Sequence, residues 1–126
     1  MKTIIHTSEA PAAIGPYSQA TLANGTLYIS GQIPVDPETG KLVEGIDKET
    51  HQVMKNLKAI LIAADMNFDN AVKASIFLKN MDDFAVVNEI YASYFNNDQF
   101  PARETVQVSC LPKNVDVEIS MIAFKN

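Results

Sequence analysis

Cysteine is nearly missing from this sequence: Cys110 is the only one in 126 residues. An intrachain disulfide is therefore excluded, and no thiolate metal site can be assembled from one chain. Histidine is almost as scarce. His6 and His51 stand far apart without partner ligands at usable spacing, so both are read as structural or exposed and no metal site is expected. Basic residues are also in deficit, 10 against 15 acidic ones, for a formal net charge of -5. Nucleic-acid affinity comes mostly from neutralising phosphates, so a chain without a Lys/Arg cluster is not expected to bind RNA or DNA. No apolar run approaches the roughly 18 residues of a membrane span, and Met1–Ala10 has no apolar core of signal-peptide length. These absences predict a soluble, cytoplasmic protein with no membrane partner. Repeats, linkers, a Gly-rich phosphate loop and a Ser-His-Asp arrangement are missing as well.

What is present is an ordinary globular composition, 47% hydrophobic and 20% charged, sized for one domain over residues 1–126. Lys2–His6 reads as a short strand, and the Ala- and Pro-rich stretch 9–16 as a loop that delivers Tyr17. Asn24-Gly25 between Gln19–Ala23 and Thr26–Ser30 predicts a hairpin with a two-residue turn. Asp47 is the expected N-cap of a helix over 48–65, with Val53, Leu57, Ile60, Leu61 and Ala64 as its buried stripe and Asn67 as its left-handed terminus. The nearly continuous apolar run Ala71–Lys79 predicts a strand covered on both faces. A second helix over 83–95, capped by Asp82, sets Phe84, Val87, Tyr91, Tyr94 and Phe95 on one side.

The last third carries the chemistry. Glu104–Cys110 and Val115–Phe124 flank the turn-forming Leu111-Pro112-Lys113-Asn114, so the local reading is an antiparallel hairpin. In its second strand Val115, Val117, Ile119, Met121 and Ala123 form one apolar face, while Asp116, Glu118 and Ser120 turn to the other. Cys110 falls on the Val106/Val108 side and is read as a small buried residue. Two helices cover only one face of such a sheet. The other is left open with Phe77, Ile122 and Phe124 among its members, an apolar patch that calls for oligomerisation.

Pro101-Ala102-Arg103, then Val106, Leu111-Pro112 and Val117-Glu118-Ile119, resembles the signature of the RidA (YjgF/YER057c/UK114) family. The likeness extends to Gly15-Pro16-Tyr17-Ser18, to Ser30-Gly31-Gln32-Ile33-Pro34, to Gln52-Val53 with Asn56-Leu57, and to Asn88 with Tyr91 and Phe95. The resemblance implies an α+β, chorismate-mutase-like mixed sheet with two helices on one face, assembled as a homotrimer with pockets between subunits. It implies a 2-iminobutanoate/2-iminopropanoate deaminase, which hydrolyses reactive enamine/imine intermediates to 2-oxo acids and ammonia without a cofactor. Arg103 would anchor the substrate carboxylate and Glu118 would direct the attacking water. Tyr17, Ser30, Gly31, Asn88 and Thr105 match positions that line the family's pocket; by itself each is as readily a core, strand-end, turn or helix-surface residue. Many relatives carry cysteine where this chain has Thr105, so thiol chemistry is absent at that position.

In the expected hairpin Glu118 faces Gln107, and Arg103 lies four residues further along, roughly 13 Å away at strand rise. A single compact site would need long side chains, a bulge or contributions from two subunits, and the last is favoured. The alternative readings are a trimeric binder or regulator of small carboxylates that uses the pocket without turnover and, third, an endoribonuclease or translation inhibitor. The presence of both Arg103 and Glu118 favours the enzyme, since a carboxylate binder needs the arginine but has no evident use for the glutamate.

Overall fold

In the computed structural model, which describes residues 1–126, the strand β1 (Thr3–Ile5) pairs antiparallel with β2 (Ala20–Ala23), and β2 with β3 (Thr26–Gln32). The β2–β3 turn is the expected one: Asn24 and Gly25 have φ of 48° and 78°. Helix α1 (Ile46–Ala63) then crosses over the sheet to β4 (Ala71–Leu78), and helix α2 (Phe84–Ala92) crosses from β4 to β5 (Ala102–Gln107). The chain ends in β6 (Val117–Phe124), and the sheet order is β1-β2-β3-β6-β4-β5. No helix is long and apolar enough to cross a membrane.

The expected hairpin of residues 104–110 with 115–124 does not form. Strand β5 pairs parallel with β4, with Arg103 beside Ala74 and Val106 beside Phe77. Strand β6 fills the gap between β3 and β4 and runs antiparallel to both. The physical reason lies in α2: a helix between two strands returns the chain in the direction it came, so β5 lands parallel on the free edge of β4. Leu111–Asn114 does turn the chain, with Lys113 and Asn114 at φ 55° and 56°, but between strands that are not neighbours. Glu118 consequently sits opposite Phe77, not Gln107.

One row of each central strand faces the helices. Leu27, Ile29, Ala74, Ile76, Val117, Ile119 and Met121 pack with Val53, Leu57, Ile60 and Leu61 of α1 and Val87 and Tyr91 of α2 in one core. Each such aliphatic side chain contributes about 1.5–3 kcal/mol by leaving water. The β4 run, expected to be covered on both faces, alternates: Ala74, Ile76 and Leu78 are buried, while Lys73, Ser75 and Phe77 point half-exposed to the open side. There they join Tyr28, Ile122 and Phe124, so the uncovered apolar face is present as expected.

The ends of elements differ in detail from the expectations. Gly45, without a side-chain cap, precedes α1, and Asp47 lies inside its first turn, where the helix dipole favours a carboxylate. Asp65, at φ 59°, is the left-handed residue after α1; Asn67 instead caps the short 3-10 turn Phe68–Asn70, accepting from the Asp69 N–H at 2.8 Å. Asn80 accepts from the Asp82 N–H at 2.9 Å and so caps the turn that leads into α2, displacing Asp82 from that role. Strand β5 stops at Gln107, and Cys110 beyond it is exposed rather than buried.

Candidate active site

Arg103 and Glu118 lie on opposite faces of the sheet. Arg103 shares a row with Ala74 and Met121, both buried on the helix side, whereas Glu118 shares a row with Phe77 and Val106 on the open side. Residues directly across a ladder point to the same face, so the two candidate groups diverge by two strands and by the thickness of the sheet. One chain thus presents them on separate surfaces.

On the helix side, β5 brings Arg103 against α2. Its guanidinium carbon lies 5.1 Å from the centre of the Tyr91 ring and 5.7 Å from that of Phe84. Phe84, Asn88 and Tyr91 recur at helical spacing, so Asn88 is on the same flank of α2 as the two rings. The rings attract the planar cation and fix its direction without neutralising it. No carboxylate of the chain lies within salt-bridge distance of the guanidinium. Burial pushes the Tyr91 phenol up to about 12 against the pull of the Arg103 charge, so Tyr91 stays neutral at any working pH. Thr105 shares the helix-side row with Ile76; its hydroxyl and that of Tyr91 are enclosed without hydrogen-bond partners.

On the open side, Glu118 leans on the backbone of Gly31. The ladder between β3 and β6 slips between Ile29 and Gln32, leaving Ser30 and Gly31 in a bulge. A Cβ on Gly31 would come within 2.8 Å of Glu118 Cδ and closer still to its Oε2, so only glycine leaves the carboxyl this seat. Burial raises the Glu118 carboxyl above its ordinary 4.5. The Ser30 hydroxyl donates to the Ser18 carbonyl at 2.6 Å, and Tyr17, the residue before Ser18, is exposed. Further along this face Lys73 pairs with Glu104 at 2.8 Å, and the Ser75 hydroxyl also bonds Glu104, holding that carboxyl below the usual range.

The family model described as endoribonuclease L-PSP matches residues 7–125. The chain belongs to the RidA family. A Rid-family protein of Yersinia pestis has the same fold with a TM-score of 0.97, at 53% identity over 99% of this chain and 100% of its own. A human 2-iminobutanoate/2-iminopropanoate deaminase is 48% identical over 99% of this chain and 91% of its length. The TdcF protein of E. coli, solved with bound serine, matches with a TM-score of 0.94 and 39% identity over 98% of this chain and 99% of its own.

Among the residues expected from RidA motifs, the fold gathers Tyr17, Ser30, Gly31 and Glu118 around the bulge and Asn88, Arg103 and Thr105 around α2 and β5. It does not bring the two groups together within one chain. Ser30 already spends its proton on Ser18, and Thr105 turns its hydroxyl inward, so neither side chain is free to donate to a ligand. Phe84 and Tyr91, read from the sequence as one side of the second helix, with Tyr91 also part of the family likeness, are the rest for Arg103. Their spacing, one helical face aimed at the start of the next strand, was the available signal. His51 Nδ1 lies 2.8 Å from the Tyr94 hydroxyl.

Proposed function

We propose that this protein is a 2-iminobutanoate/2-iminopropanoate deaminase, an enzyme that hydrolyses 2-enamino and 2-imino acids to 2-oxo acids and ammonia. The observation that carries the reading is the unpaired Arg103 guanidinium, framed by two rings in a chain that also holds a raised carboxyl on bare backbone at Gly31. The near-half identity to deaminases over almost the whole chain supports it. Because the two groups diverge within a chain, the complete site combines Arg103, Asn88 and the backbone of Thr105 from one subunit with Tyr17, Gly31 and Glu118 from its neighbour. The uncovered apolar face, with Tyr28 and Phe124 exposed, supports a homotrimer that buries this surface. A cytoplasmic location is part of this reading.

The chemistry follows from these groups. The enamine takes a proton from solvent at C3 to give the iminium, the protonated imine, and the Arg103 fork binds its carboxylate with two parallel hydrogen bonds. Water held by the Glu118 carboxylate attacks C2; the water proton passes to Glu118 as the C–O bond forms, the C=N π pair moves to nitrogen and the iminium becomes an amine. Glu118 returns the proton to that nitrogen, ammonia leaves as the C–N bond breaks, and the hydroxyl proton passes to the freed Glu118 carboxylate as the 2-oxo group forms. Burial raises this carboxyl above its ordinary value, which makes it a better proton acceptor than an exposed carboxylate. Positioning supplies much of the acceleration, since such imines already hydrolyse in water.

The test couples a serine or threonine dehydratase to this protein, traps the imine with semicarbazide and follows its loss. Faster formation of the 2-oxo acid, abolished in Arg103→Ala and reduced in Glu118→Gln, is expected. A folded, assembled protein that binds 2-oxobutanoate but leaves the imine to the trap would make it a binder instead.

A further inference from the structure

Ser30 is bonded at every polar atom it has. Its N–H donates to the Gln19 carbonyl at 2.9 Å, its carbonyl accepts from Gln32 Nε2 at 3.1 Å, and its hydroxyl donates to the Ser18 carbonyl at 2.6 Å. Gln19, only 3% exposed, is as fully engaged. Its Oε1 accepts from the Thr7 N–H at 2.7 Å, while Nε2 donates to the carbonyls of Thr7 at 3.0 Å, Ala10 at 3.3 Å and Pro11 at 2.8 Å. A buried amide that uses its acceptor and its donors on a single loop is a fastening, since leaving any of them unpaired there costs the full desolvation of the group.

The two residues grip the two arms of one loop. Gln19 holds residues 7–11, and Ser30 holds Ser18. Between these anchors residues 12–17 form no helix or strand and have one backbone bond of their own, from the Tyr17 N–H to the Gly15 carbonyl at 2.9 Å. Tyr17 is thus one residue from the first anchor point of the Ser18–Ser30 bond, and Gly31, with Glu118 against it, is one residue from the second. An exposed loop of this composition would otherwise sample many arrangements, each placing the ring elsewhere.

We propose that Gln19 and Ser30 are positioning residues, which act through the loop of residues 12–18 to hold the Tyr17 ring as a wall of the pocket beside Gly31 and Glu118. The pocket half of this inference rests on the deaminase reading; the fastening itself does not. Ser30 then serves the substrate without touching it, which accounts for a hydroxyl whose proton is already committed.

Ser30→Ala removes one bond and leaves both backbone pairings in place. Hydrogen exchange of the Tyr17 amide, the one bonded amide of the loop, should speed up about five- to tenfold in this variant, as expected for one lost hydrogen bond, with the exchange of β3 and β6 unchanged. In the imine assay the same variant should raise KM several-fold with kcat nearly constant, and Ser30→Thr, which keeps the hydroxyl, should restore both. A double-mutant cycle separates the roles: in a Tyr17→Ala background, Ser30→Ala should cost nothing further. Unchanged exchange in Ser30→Ala, or a loss that multiplies with that of Tyr17→Ala, would overturn the proposal. A wild-type protein without imine turnover would instead defeat the deaminase reading, and the exchange comparison would still decide the fastening.

Discussion

The two rows of β6 are made from the same eight residues, yet they do different work. Val117, Ile119, Met121 and Ala123 face the helices and are buried, whereas Glu118, Ser120, Ile122 and Phe124 face a side that nothing in the chain covers. The inner row is held by packing that leaves few alternatives. The outer row keeps a carboxyl, a hydroxyl, an aliphatic side chain and an exposed aromatic ring on one open face, the kind of patch that marks an interface. Arg103 emerges on the inner side near the edge of the sheet, and under the proposed function a second copy brings the two sides together in one site.

Mixing two impaired variants is the strongest way to break that comparison. Arg103→Ala and Glu118→Gln should each lower kcat/KM, the former by about a thousandfold, the scale of a lost charge-assisted anchor. If each site takes one group from each of two subunits, unfolding and reassembling equal amounts together leaves about one site in four with both groups intact. Activity should then return to roughly a quarter of the wild-type value. No recovery in a mixed trimer would place both groups in one subunit. The second contrast concerns stability. Ile119→Ala on the inner row should cost about 3–4 kcal/mol in denaturant unfolding whatever the oligomeric state, because the site is fully buried. Phe124→Ser on the outer row should leave the folded chain intact and shift sedimentation toward smaller species on dilution.

These contrasts also show what could be read from the residues alone. The alternation Val117–Phe124, the Asn24-Gly25 turn and the α1 stripe were legible because each is a local pattern whose period or turn chemistry has one structural answer. The partner of β5 was not legible from its own alternation. Which edge a strand joins depends on the crossover before it, and the turn at Leu111–Asn114 looks the same whether or not its flanking strands pair. Caps were misread where a neighbour competed, as Asn80 did with Asp82. Arg103 and Glu118 entered through family motifs, but their separation onto opposite faces follows only from the register of three strands.

A smaller effect tests the seat of Glu118. Gly31→Ala puts a methyl where the carboxyl now leans, and the Glu118 side chain must turn away because β6 cannot move without breaking the core. A loss of about a hundredfold in kcat, with the unfolding midpoint nearly unchanged, is expected from a misplaced proton acceptor. Unchanged kcat would show that the carboxyl works from elsewhere.

The last contrast sets Glu118 beside Glu49, a carboxyl at the base of the same strand. Glu49 is 4% exposed in the first turn of α1, and its Oε1 accepts from the Asp116 N–H at 3.1 Å. Burial first, and then the Asp116 carboxyl, raise it from 4.5 to about 7. Ionisation of Glu49 therefore meets repulsion from Asp116, and no Lys or Arg pairs with it at salt-bridge distance. Between pH 4.5 and about 7 the folded chain keeps a proton that the unfolded chain has released, so stability falls as pH rises through that window and stays low above it. Glu49→Gln keeps the acceptor for Asp116, supplies a donor in place of the proton and never ionises. Urea unfolding should therefore give nearly equal stabilities for the two proteins at pH 4.5. At pH 8 the variant should be ahead by about 2 kcal/mol, somewhat less than the full shift implies because the corner relaxes when charged. An equal gap at both values would mean that packing, not the proton, distinguishes the two side chains.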